Sequence, residues 1–202
     1  MPSPHAFEKK LAALLRKVQR KELTVDAACQ TLKDLPFSDL GFAKVDHHRA
    51  LRRGFPEVIF GERKTVGQVV AIARKMLKAG HPLVVTRVGR EVYARLKSET
   101  PGLKYDATAR LITSPFPKRR LKGKITVVTA GTSDLPVARE AEVIARLMGA
   151  QVTGIYDVGV AGLHRLVPYM SRLRQSKAIV VVAGMEGALA SVIGSMVSRP
   201  VI

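Results

Sequence analysis

The chain has 202 residues, 47% of them apolar and 5% aromatic, with one cysteine and a formal net charge of +18. That length and apolar content suit one buried core or two smaller ones and exclude a disordered chain. A lone Cys29 excludes a disulfide framework and a cysteine zinc site, and no apolar run approaches the ~20 residues that span a bilayer.

Residues 1–120 hold 25 Lys/Arg against 11 Asp/Glu, so +14 of the +18 falls there. A basic half suggests a polyanionic partner. Its charges are scattered singly and in pairs, without an aromatic ladder, which fits solvated helix faces or a small-anion site better than nucleic acid. The amino terminus has no apolar core after its charges and is not a secretion signal. A cytoplasmic enzyme or binding protein is expected.

In chain order, Phe7, Leu11, Leu14, Leu15 and Val18 recur at helical spacing, so residues 5–21 read as an amphipathic helix. Thr24 caps a second helix ending near Lys33, before Pro36. Residues 42–45 and 57–60 are short strand candidates. Thr65 caps a helix through Lys78 that stops at Gly80. Strand 83–87, helix 90–98 and strand 107–113 follow. Residues 1–40 thus form a helical leader and 41–113 a small basic α/β domain. Residues 114–123, with two prolines, four Lys/Arg and a glycine, read as an extended, solvated linker.

Residues 124–202 read as a second α/β domain, with strand 125–130, helix 134–148 ending at Gly149, strand 152–156, helix 161–174, strand 178–183 and helix 186–197. Pro200-Val201-Ile202 looks like the start of a fourth parallel strand. The expectation is a doubly wound, flavodoxin-like parallel sheet, truncated from a longer chain.

β-Branched runs that open through a glycine turn into a helix are the βα units of such a sheet, and ligands bind outside the carboxyl ends of its strands. Gly131-Thr132-Ser133-Asp134 offers backbone amides and hydroxyls to an anion, or simply caps the next helix. Tyr156-Asp157-Val158-Gly159-Val160-Ala161-Gly162-Leu163-His164-Arg165 puts Asp157 at a strand end facing the crevice. Arg165 there is either an anion clamp or a surface residue, and His164 is equally open. Gly184-Met185-Glu186-Gly187 holds a carboxylate at a helix start, as a cap or as a catalytic group among small residues. Asp46-His47-His48 has no third ligand at metal spacing and reads as a polar turn. Cys29 reads as core, and Gly61–Thr65 resembles a phosphate loop only faintly.

Several segments together resemble the LarB family, the nickel-pincer-nucleotide cofactor biosynthesis carboxylase/hydrolases (pyridinium-3,5-biscarboxylic acid mononucleotide synthases). In the first half they are residues 46–61, Lys64-Thr65 and Tyr105–Arg110; in the second, Thr129–Ala141, Tyr156–Arg165 and Val182–Ser191. The second half is more distantly similar to aminoimidazole ribonucleotide carboxylases, which share a Gly-Ser-x-Ser-Asp-like first loop and an Ala-Gly-x-Gly-Gly-like third one. The LarB resemblance implies a substrate, nicotinic acid adenine dinucleotide, carboxylated on its pyridinium ring with CO2 or bicarbonate and cut at the phosphoanhydride to release AMP. It implies that Gly131 to Asp134 hold phosphate and ribose, that Asp157 to Gly162 line the pocket, and that Glu186 removes the ring proton. No tightly bound cofactor is implied, a Mg2+ requirement for the hydrolysis is left open, and the family forms homo-oligomers. The family's nucleophilic Cys lies downstream of the Glu186 motif, and Cys29 matches no such segment. Rival expectations are an aminoimidazole ribonucleotide carboxylase and a non-catalytic nucleic-acid-binding protein.

Overall fold

A computed structural model describes residues 6–33, 37–47, 49, 53–116 and 123–202. They belong to two compact units, Met1–Asp106 with Leu111–Pro117, and Ala107–Arg110 with Lys118–Ile202. Strands and helices mix in both, so the chain is an α/β protein.

The first unit begins with helices α1 (Ala6–Gln19) and α2 (Val25–Lys33), the second opened by Thr24, whose Oγ1 accepts the Ala27 N–H at 3.2 Å. Helical phase turns Ala28 inward and leaves Cys29 exposed, against the expectation that Cys29 is core. Strands β1 (Phe37–Asp39) and β2 (Lys44–Asp46) pair as an antiparallel hairpin. The strand expected at 42–45 therefore starts later, and Phe42 lies exposed in the turn.

Beyond them, β3 (Ile59–Phe60), β4 (Val84–Thr86), β5 (Lys104–Asp106) and β6 (Leu111–Thr113) form one sheet in the order β3-β4-β6-β5. Only β3 and β4 are parallel; β6 runs antiparallel to both of its neighbours. Residues 107–110, expected as strand, are instead the β5–β6 turn, with Arg110 at φ +50°.

Helices α3 (Val66–Lys78) and α4 (Arg90–Lys97) give Val69, Val70, Ala73, Met76, Val92 and Leu96 to a core with Val85 and Ile112. Thr65 and Gln68 close a reciprocal cap at the start of α3. At its end Gly80 N–H bonds Leu77 O and His81 N–H bonds Met76 O, the 5→2 and 6→1 pair of a Schellman stop. Ser114, expected in a solvated linker, is buried: its N–H bonds Leu83 O and its Oγ accepts the Leu83 N–H at 2.8 Å. Residues 117–122 of that linker lie outside the described residues.

The second unit has a parallel sheet of β7 (Lys124–Thr129), β8 (Gln151–Ile155) and β9 (Ala178–Val182) in the order β8-β7-β9. Pro200–Ile202 adds to the free side of β9: Ile179 N–H bonds Pro200 O, Ile202 N–H bonds Ile179 O, and Val201 bridges Ile179 in parallel. This order, with the first strand central, is that of a doubly wound sheet. Helix α5 (Leu135–Leu147) lies along β7 and β8. Helices α6 (Met170–Gln175) and α7 (Ala188–Met196) supply Leu173, Leu189 and Ile193 to a core with Val128, Ile155, Leu166 and Ile179. Alternation sends Val127, also fully buried, to the opposite face of β7.

The helix expected over 161–174 is broken. A 3-10 segment spans Val160–Arg165 with Gly162 at φ −146°, ψ 61°, and another spans Val167–Tyr169 around Pro168 before α6 begins. The helix expected from 186 starts at Ala188, so Glu186 stands in the loop ahead of it.

Candidate functional site

Parallel pairing puts the carboxyl ends of β7, β8 and β9 at one rim, and the three turns that follow meet around one cavity of about 1130 Å3. Its wall includes Gly131, Ser133 and Asp134 of loop 1, Gly159 and Arg165 of loop 2, and Gly184, Met185 and Glu186 of loop 3. Val180 and Val182 of β9, Val137 and Ala141 of α5, and Ile202 give it an apolar floor. An apolar floor with a few polar groups at the rim is the usual make-up of a small-molecule site.

Loop 1 is the hub. Buried Thr129 at the end of β7 accepts the Asp157 N–H on Oγ1 at 3.0 Å. Its carbonyl takes the Val158 N–H, and the Ala130 carbonyl takes the Gly159 N–H. A Cβ on Gly159 would stand 2.8 Å from the Ala130 oxygen, so only glycine permits this approach of loop 2. Asp134, 8% exposed, accepts the Gly131 N–H on Oδ2 at 2.9 Å and the Gly184 N–H on Oδ1 at 3.0 Å. Both oxygens of this carboxylate thus hold backbone, one bond within loop 1 and one across to loop 3.

In loop 2, Asp157 has φ +57°, a left-handed conformation that Asp tolerates better than most residues. Its carboxylate accepts from Arg165 Nη1 at 2.8 Å, and Arg165 turns a half-exposed guanidinium to the cavity. That guanidinium lies against Gly162, where a Cβ would be 2.8 Å from Nε. Loop 3 is open: Met185 is 94% exposed and Glu186 is exposed, with Gly187 at φ +71° turning the chain into α7. Ser133 lines the cavity, whereas exposed Thr132, Asp157 and His164 do not, nor do Gly162 and Gly187; Asp157, expected to face the crevice, reaches it only through Arg165. Of the five acidic residues in 121–202, Asp134, Asp157 and Glu186 occupy these three loops.

Sequence reasoning missed a neighbouring cluster. The Glu142 carboxylate, 1% exposed, is flanked by Arg139 and Arg146 at 3.1 Å and accepts from the Tyr156 hydroxyl. Burial, then that hydrogen bond, raises the Tyr156 pKa above its ordinary value. Gly154 makes the room, since a Cβ there would overlap the Tyr156 ring. The i,i+3 and i,i+4 Arg spacing about Glu142 was the available signal.

In the first unit His47 stands in a turn, as expected, but is buried. Its Nε2 lies 2.8 Å from Ser38 Oγ and its Nδ1 lies 2.9 Å from His81 Nε2, with the two imidazoles stacked. His48 lies outside the described residues. Among the described residues no group of three or more His, Cys, Asp or Glu could hold a metal ion, and no helix is long and apolar enough to cross a membrane.

Residues 37–115 match the LarB/PurE-like N-terminal domain, so the resemblance read from the motifs is supported there and the first unit carries that domain. The chain is also 37% identical, over 170 residues, to an uncharacterized protein of Methanocaldococcus jannaschii. The aligned part is 79% of this chain and 66% of that relative, a little under two thirds of its length.

Proposed function

We propose, from a chain that carries a LarB/PurE-like N-terminal domain ahead of a three-loop crevice, that it is a carboxylase of the LarB type. Its substrate is nicotinic acid adenine dinucleotide. A new carbon–carbon bond joins the carbon of CO2 to the pyridinium ring in place of a C–H bond whose proton goes to a base, bicarbonate serving as a source of that CO2 by loss of hydroxide, and water cleaves the phosphoanhydride to release AMP. The single observation that carries this reading is the meeting of the three loops around one cavity with an apolar floor.

In this reading Ser133, on the loop 1 backbone that Gly131 leaves open to close approach, holds phosphate and ribose. Arg165, held by Asp157, takes an anionic group of the substrate. The ring lies on Val180 and Val182 beneath Gly184 and Met185, and Glu186 accepts its proton as general base. Cys29 sits exposed on α2 of the first unit.

The test is incorporation of labelled bicarbonate into the dinucleotide together with release of AMP. Glu186→Gln is expected to abolish incorporation while leaving the melting temperature unchanged. Wild-type turnover by that variant removes Glu186 from the mechanism. Conversion of aminoimidazole ribonucleotide in place of the dinucleotide moves the assignment to the purine enzymes. Salt-dependent binding of random duplex without affinity for either nucleotide replaces it with the nucleic-acid reading.

A further inference from the structure

We infer that Asp134 is a positioning residue, the clamp that sets where loop 3, and with it Glu186, stands over the cavity; this rests on the carboxylase reading above. Three observations meet in it. The residue is more than nine-tenths buried, and its carboxylate is spent on two backbone N–H groups, those of Gly131 and Gly184. A carboxylate taking N–H groups makes charge-assisted bonds roughly twice as strong as neutral ones. The bond to Gly184 also joins positions fifty residues apart, and only Met185 separates Gly184 from Glu186.

Packing does not hold this turn. Gly184 and Glu186 are exposed and Met185 is 94% exposed, so the polar tie is what fixes the loop at its first residue. Glycine at 184 is part of the same device. A Cβ there would stand 3.0 Å from Asp134 Oδ1, closer than such contacts normally come. Asp134 on loop 1 and glycine at the start of loop 3 are therefore a matched pair, and the pair decides how far Glu186 stands from whatever occupies the crevice. Displacing a reacting group by about 1 Å costs on the order of 10²-fold in rate.

The test compares Asp134→Ala, which frees both N–H groups, with Asp134→Asn, which keeps one acceptor. In the alanine variant the Gly184 amide is expected to exchange its hydrogen about tenfold faster. Turnover should fall about 10²-fold while affinity for the dinucleotide stays near the wild-type value. The asparagine variant should recover part of the rate. An unchanged Gly184 amide overturns the clamp. Loss of affinity in step with turnover overturns it too, making Asp134 a substrate contact. If the wild type neither binds nor converts the dinucleotide, the proposed function falls, and the amide measurement still decides the clamp. If neither variant folds, Gly184→Ala asks the same question from the other side. It should lower turnover and speed hydrogen exchange of the amide at 184 while leaving the Gly131 amide protected; an unchanged amide at 184 in that variant overturns the clamp.

Discussion

Glu57 shows how a single carboxyl near the β2 strand reports on its surroundings. Its Oε2 accepts the Asp46 N–H at 2.6 Å, but loss of hydration outweighs that bond and, with the nearby Asp46 charge, raises its pKa above 4.5. A raised carboxyl pKa means the folded state holds the proton more tightly than the unfolded chain does. The stability this contributes is full below the unfolded value and is lost as pH rises through the folded one. Glu57→Gln keeps an acceptor and carries no charge. Its stability relative to the wild type should therefore improve as pH rises from about 4 to about 7. Thermal melts across that range check this, and parallel curves for the two proteins would refute it.

At the scale of elements, β9 is the strand on which the second unit depends. Ile179 is fully buried, pairs with Thr126 of β7, and bonds Pro200 and Ile202 on its other side. Ile179→Ala should cost about 2–5 kcal/mol in denaturant unfolding of the chain; a loss below 1 kcal/mol would show that β9 is not the keystone described. Elements with their own local signals were legible from sequence. The Thr65 cap, the Gly80 stop and the runs of β7 and β9 matched the structure to within a residue or two. Two three-residue strands were not, because Phe37–Asp39 and Lys104–Asp106 carry charges and owe their form to a partner strand, whereas the apolar Val84–Thr86 was. The break at Gly162 and Pro168 hid beneath apolar spacing that a continuous helix would also show. The three glycine loops of the site were legible as turns. The roles of Thr129, Asp134 and Glu142 were not, since each bonds a residue 14 to 50 positions away.

For the whole molecule, the net charge of +18 is a long-range field rather than a contact. An anionic dinucleotide should be drawn in by it, so its association rate should fall at least about tenfold between low salt and ~0.15 M, while dissociation changes little. Stopped-flow binding at a series of ionic strengths measures both rates, and a flat association rate would assign the charge to solubility. The strand order of the second unit has a kinetic consequence. β7 comes first along the chain yet lies between its partners, and β9 reaches it only after some fifty residues. The middle of the sheet is thus the earliest part synthesised and among the last to be completed, so folding of this unit waits on distant encounters and runs slowly compared with a hairpin-built sheet of equal size.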